Sequence, residues 1–310
     1  MIKKRLFIVG NGFDRYHGIH SGYQDFCDYI KIHDRHLSEI LDQYFDERNL
    51  WSDFEGSLAD LDAEQVKDYA RNFLEPSSGE EWSDSYNHDY QYEIEQIVDA
   101  LTNILSRRLT SWVLQLKIPS MYDNIPKLDF IDKNGLFLSF NYTPTLERIY
   151  SIAEKDILYI HRKAVDNNSN LILGHAWNPK KYKGHYKRDF DATDDIRLIE
   201  GEDLILDYFK KTYKPTVKLI RENGIFFEHL TSIEEIYVMG HSLRDVDMGY
   251  FRKIVRSIDT NKVDWYISYK KEEDKFHHQE TMQHFGIKKD LVHLDDIKDL
   301  GKNHTNVKLL

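Results

Sequence analysis

Four places in this chain join an apolar run directly to residues that can do chemistry. Leu6–Val9 runs into Gly10-Asn11-Gly12, with Asp14 just behind; Leu136–Phe140 runs into Asn141-Tyr142-Thr143. Ile157–Ile160 runs into His161, and Ile236–Met239 into Gly240-His241-Ser242. A Gly-x-Gly turn from a strand into a helix leaves backbone N–H groups free at the helix start, where a phosphate binds, and glycine lets a ligand approach the backbone closely. An asparagine at a strand end can hold a hydroxyl or a water. A histidine there titrates near neutrality and can accept a proton. Each also has a plain structural use: Asn141 or Asp14 as a helix cap, His161 as a satisfied buried imidazole, Gly240 as a turn. Together, however, all four strand ends can face one crevice. The third glycine of the dinucleotide fingerprint is missing, since Arg15 stands at its place. His17 and His20 near Asp14 invite a metal, but no third strong ligand accompanies them and Gly18 weakens the helix that would align them, so no metal is expected.

The elements that must position these residues follow from hydrophobic patterning. Short apolar runs recur at Leu6–Val9, Leu136–Phe140, Ile157–Ile160, Leu171–Leu173, Ile236–Met239, Trp265–Ser268 and Leu291–Leu294. Their length and flanking turn residues suit fully buried parallel strands. Helical patterns lie between several of them, at Asp203–Glu222, Asp247–Ile258 and Lys271–Phe285. Alternating strands and helices predict an α/β, Rossmann-like parallel sheet. Between about Leu37 and Leu116 no strand is legible. From Ile94 to Leu116 apolar residues instead advance at helical spacing, which predicts a helix of more than 20 residues, set off from an earlier helical stretch by the Glu75–Asp89 loop. The expected organisation is a sheet domain from residues 1–36 and 131–310, with a large helical insertion at 37–130 after the first strand–helix unit.

Composition narrows the function class. The 310 residues carry 42 Lys/Arg against 53 Asp/Glu, a formal charge of −11, which disfavours a nucleic-acid surface despite the basic stretch Asn178–Arg188. Cys27 is the single cysteine, so no internal disulfide or multi-cysteine zinc site forms, in keeping with a reducing cytosol. No apolar run approaches the ~20 residues that span a bilayer, and Leu6–Val9 is too short for a signal peptide. A cytoplasmic, acidic, soluble protein with no membrane contact is expected.

The set of motifs "GNGFD…HGIHSGYQDF", "WSDFEGSL", "FNYTPTLERIY", "LILGHA" and "VMGHSLRDVDMGYF" resembles the bacteriophage abortive-infection AbiH family over nearly the whole chain. That family is in turn similar to the sirtuin-like NAD-binding fold. Gly10-Asn11-Gly12 with Gly18-Ile19 and Asp25-Phe26 resembles the sirtuin Gly-Ala-Gly turn and the loop after it. Phe140–Thr143 with Thr145-Leu146-Glu147 resembles the Gln-Asn-Ile-Asp segment and its helix start. The sirtuin catalytic histidine falls on His161, and the Gly-Thr-Ser stretch that meets NAD falls on Gly240-His241-Ser242. The chain departs from the pattern at Arg162, where sirtuins carry glycine, and at Thr143, where they carry aspartate. The four-cysteine zinc module cannot form.

The resemblance implies an anti-phage effector that hydrolyses NAD+ to nicotinamide and ADP-ribose, with NAD as substrate and no metal. Such cleavage passes through an oxocarbenium-like state and releases an already cationic group, so no general acid is needed. In this scheme Asn141 holds a ribose hydroxyl and orders water, and His161 accepts a proton. Gly10, Asn11, Gly12, Gly240, His241 and Ser242 hold pyrophosphate and ribose, and Asp14 contacts ribose or the nicotinamide amide. Two alternatives stand beside it: a non-hydrolytic sensor of NAD or a nucleotide derivative, and a nucleic-acid-directed effector. A phage-derived trigger and a homo-oligomer are the partners such a function implies.

Overall fold

The computed structural model describes residues 3–74, 88–179 and 195–302. The Glu75–Asp89 loop as far as Asn87, and the basic stretch from Lys180 onward, lie outside the described residues. The described chain divides into two compact units.

Unit 1 comprises residues Met1–Gly22, Val113–Leu171 and Pro215–Leu310. It contains six strands, β1 (Arg5–Val9), β2 (Leu136–Ser139), β3 (Ile157–Tyr159), β4 (Glu235–Met239), β5 (Asp264–Ser268) and β6 (Val292–Asp295). All neighbouring pairs are parallel, in the order β3-β2-β1-β4-β5-β6. The strand order reverses between β1 and β4. The carboxyl ends at such a switch point are where open α/β sheets leave a crevice. Both central strands are buried almost throughout, as their unbroken apolar runs require. One ring from each of five strands forms a row across the sheet: Phe137, Phe7, Tyr237, Tyr266 and His293 occupy paired register positions. Their centroids are spaced 5.0, 5.1, 4.7 and 4.8 Å.

Unit 2 comprises Tyr23–Trp112 and Ile172–Lys214. It is drawn from two crossovers, the one between β1 and β2 and the one between β3 and β4, so it starts earlier than residue 37, ends earlier than residue 130, and takes in a second segment. Its described regular elements are helices. The run Asp89–Gln115 is helical throughout, with a π segment at Ala100–Ile104. Two ion pairs are buried here, Lys214 Nζ to Glu55 Oε2 and Lys67 Nζ to Glu202 Oε1, each at 2.8 Å. Tyr208 donates to the Leu58 carbonyl at 2.7 Å.

Two expected elements differ. Leu171–Leu173 forms no strand, because the chain there passes from one unit to the other and only His175 makes an isolated bridge, to Tyr213. The helix expected at Asp203–Glu222 is two helices, Ile196–Lys211 and Thr216–Glu222. Pro215 separates them, since it lacks a backbone N–H and its predecessor avoids helical geometry.

Candidate functional site

The β1 and β4 ends meet backbone to backbone. Gly10 N–H donates to the Met239 carbonyl at 3.0 Å, and Gly12 N–H to the Gly240 carbonyl at 2.8 Å. Gly240 has φ +63, and a Cβ on it would lie 2.1 Å from Phe13 N and 2.3 Å from Gly12 C. A Cβ on Gly12 would meet Gly240 Cα at 2.7 Å. The three glycines are thus fixed by mutual approach of two turns. One of the helix-start N–H groups expected to meet a phosphate, that of Gly12, is occupied by the Gly240 carbonyl. The Asn11 side chain accepts from Ser21 Oγ at 2.5 Å.

Behind this turn Asp14 is buried, with 1% of its surface exposed. Asn141 Nδ2 donates to Asp14 Oδ1 at 2.9 Å and to the Gly10 carbonyl at 3.1 Å. Thr143 Oγ1 donates to Asp14 Oδ2 at 2.5 Å and lies 3.0 Å from Thr145 Oγ1. Burial pushes the Asp14 carboxyl up to about 6, against the opposing pull of hydrogen bonds from Thr143, Thr145 and Asn141. The Asn141 amide therefore ties the end of β2 to the first turn. His17 belongs to the core: its Nδ1 lies 2.7 Å from the Phe13 carbonyl and its Nε2 2.7 Å from the Tyr150 hydroxyl. Among the described residues no group of three or more metal-ligating side chains assembles.

A second polar cluster links β3 and β4. Asp247 places Oδ1 3.6 Å from His161 Nε2 and Oδ2 3.3 Å from His241 Nε2, all three residues being buried. Leu243 N–H donates to His241 Nδ1 at 3.0 Å. The lone pair is thereby fixed on Nδ1 and the proton on Nε2, facing Asp247. The Phe140 ring packs against both imidazoles, 5.3 Å from His161 and 4.4 Å from His241. Two imidazoles sharing one carboxylate in apolar surroundings can hold and pass a proton. The chain leaves His161 and His241 through left-handed backbone at Arg162 (φ 69) and Leu243 (φ 51), conformations that cost a side-chain-bearing residue free energy.

A cavity of about 550 Å³ opens at the carboxyl ends of β1, β4, β5 and β6. Gly12, Gly240, His241 and Ser242 line it from the switch point, and Arg15 stands at its edge, where the fingerprint glycine would be. Ser268, Tyr269 and Lys270 follow from β5, His278 from the helix Glu272–His284, and Asp296 and Lys298 from the turn after β6. The Ser268 hydroxyl accepts the Gly240 N–H at 2.7 Å, fixing the left-handed turn. Of the nine residues singled out in the sequence, Gly12, Gly240, His241 and Ser242 line the cavity; Gly10, Asn11, Asp14, Asn141 and His161 do not.

The β5–β6 flank was missed in the sequence. "SYK" after β5 carries no motif, and "EEDKFHHQETMQH" reads as a charged, solvated helix. The available signal was spacing: His278 and Met282 stand four residues apart and are the buried residues of that helix.

No curated protein and no solved structure matches the chain. A family model described as bacteriophage abortive infection AbiH matches residues 6–269, most of its length. The chain therefore belongs to the AbiH family.

Proposed function

We propose that this protein serves phage abortive infection through NAD or a closely related nucleotide, held at the carboxyl edge of a Rossmann-like sheet and hydrolysed at the nicotinamide–ribose bond. The observation that carries this reading is the reversal of strand order between β1 and β4 at the place where the 550 Å³ cavity opens beside Gly12 and Gly240. Membership of the AbiH family supports the biological setting. The sirtuin-like assignment and the roles of Asn141 and His161 remain part of the proposal.

One observation favours the second reading, a sensor that binds without cleaving. The Asn141 amide already donates to Asp14 and Gly10, and His161 is buried outside the cavity wall. In the hydrolytic reading these residues must swing toward the ligand when a trigger acts. The test is calorimetric binding of NAD together with chromatographic measurement of nicotinamide release, with and without lysate from phage-infected cells, and with Asn141→Ala as control. Release that requires Asn141 supports hydrolysis. Binding with no release in either condition supports the sensor, and absence of both refutes the use of NAD.

A further inference from the structure

His278 lines the cavity, yet only 2% of its surface is exposed. Neither ring nitrogen makes a hydrogen bond of ordinary geometry, although the Ser242 backbone approaches the ring. Buried polar atoms are nearly always satisfied, so two unsatisfied nitrogens at a cavity wall point to a ligand that completes them. Burial, with His277 alongside, pushes His278 down to about 4, so the ring is neutral at neutral pH. A neutral imidazole offers one N–H donor and one lone pair. That pair does not suit a phosphate, which only accepts and binds best to cations. It suits the edge of a heterocycle or a carboxamide, which carries both a donor and an acceptor.

The cavity lining also carries charged side chains. Arg15 and Lys270 line it, are exposed, and make no ion pair among the described residues. Tyr16 and Tyr269 also line it, with the Lys275 ammonium 5.0 Å from the centroid of the Tyr269 ring. Asp274, Asp296 and Lys298 also line the cavity, the last two 3.9 Å apart.

We propose that His278 forms a heterocycle-reading subsite, which takes the base or carboxamide end of a nucleoside monophosphate while Arg15 and Lys270 hold its phosphate. The proposal rests on the reading of the cavity as a nucleotide site, and it narrows the ligand to one half of a dinucleotide.

The test titrates the full-length protein with AMP, nicotinamide mononucleotide and ribose 5-phosphate by calorimetry. The variants are His278→Leu, His278→Gln and Arg15→Ala, each with its thermal midpoint recorded. The wild type is expected to bind at least one mononucleotide ten-fold or more tighter than the sugar phosphate. His278→Leu should abolish that preference while leaving ribose 5-phosphate affinity within about two-fold. Its thermal midpoint should hold or rise, because an unsatisfied imidazole has been replaced by an apolar group. His278→Gln, which keeps a donor and an acceptor, should retain part of the preference. Arg15→Ala should weaken all three ligands by a similar factor. Whichever of AMP and nicotinamide mononucleotide is preferred identifies the half that is read. If the wild type shows no preference, or the preference survives His278→Leu, the subsite is refuted while the nucleotide cavity stands. If none of the three ligands nor NAD binds, the cavity reading falls, and the subsite with it.

Discussion

Gly240→Ala is the sharpest test of how the switch point is held. The substitution places a side chain on backbone at φ +63, with its Cβ 2.1 Å from Phe13 N. Left-handed backbone costs a non-glycine residue about 1–2 kcal/mol. The clash is with main-chain atoms, which cannot rotate away, so overpacking adds about 1–3 kcal/mol. Moving the turn to relieve it strains the Gly12 N–H bond to the Gly240 carbonyl, a further ~1 kcal/mol. The sum is about 4 kcal/mol, a large part of the ~5–15 kcal/mol that holds a typical domain together. Gly18 is the internal control, with φ +78 but nothing within 4 Å of an added Cβ. Gly18→Ala should cost only the conformational part, about 1–2 kcal/mol. In thermal unfolding, with about 2–4 °C lost per kcal/mol, Gly240→Ala should fall by roughly 10 °C and Gly18→Ala by roughly 4 °C. Equal drops for the two variants would refute a rigid backbone-on-backbone contact between the β1 and β4 turns.

Other expectations follow from the buried polar groups. The Asp14 carboxyl is raised from 3.8 to about 6, a rise equivalent to about 3 kcal/mol. Between those values the folded state holds a proton that the unfolded state has released, so this contribution to stability is full below about pH 4 and lost as pH rises through about 6. Asp14→Asn should flatten the pH dependence of urea unfolding over that window, and an unchanged slope would refute the burial argument. Arg162→Gly removes a side chain from backbone at φ 69 and loses one exposed hydrogen bond to the Asn170 carbonyl. It should stabilise by about 0.5–1 kcal/mol in the same assay, and a net loss would mean that the arginine contact outweighs the strain. Lys214→Met removes the 2.8 Å ion pair to buried Glu55 and should cost about 3–5 kcal/mol, most of it recovered in the double variant Lys214→Met/Glu55→Leu. A double variant no more stable than the single would show that the pair is not the cause.

The sheet was legible because parallel strands buried on both faces must be apolar throughout. Leu6–Val9, Ile236–Met239 and Trp265–Ser268 say so residue by residue, and Gly10 and Gly240 mark where two of them stop. Leu171–Leu173 has the same composition but is spent where the chain leaves one unit for the other, and nothing local distinguishes the two uses. Pro215 could have been read as a helix break. The β1–β3 half of the site was visible as motifs, but not that Asn141 and Asp14 satisfy each other, because residues 127 positions apart in sequence carry no local sign of pairing. His278 escaped notice because its helix is charged on most faces, and one buried imidazole barely alters that pattern.

The central strand pair also sets an order of events during synthesis. β1 is finished at Val9, but its β4 partner spans Glu235–Met239. At about 5–20 residues per second, the intervening chain takes roughly 10–45 s to make. β2, flanked in turn by β3, is made well before β4 and can cover one edge of β1 first. The other edge, a row of unpaired backbone groups of the kind that invites aggregation, stays open until β4 arrives. Every residue of unit 2 lies between Tyr23 and Lys214, so the helical unit can close before the last three strands exist. The β1–β4 switch point is therefore among the last features to form, and a chain that ends before Glu235 has every residue of the helical unit but no crevice.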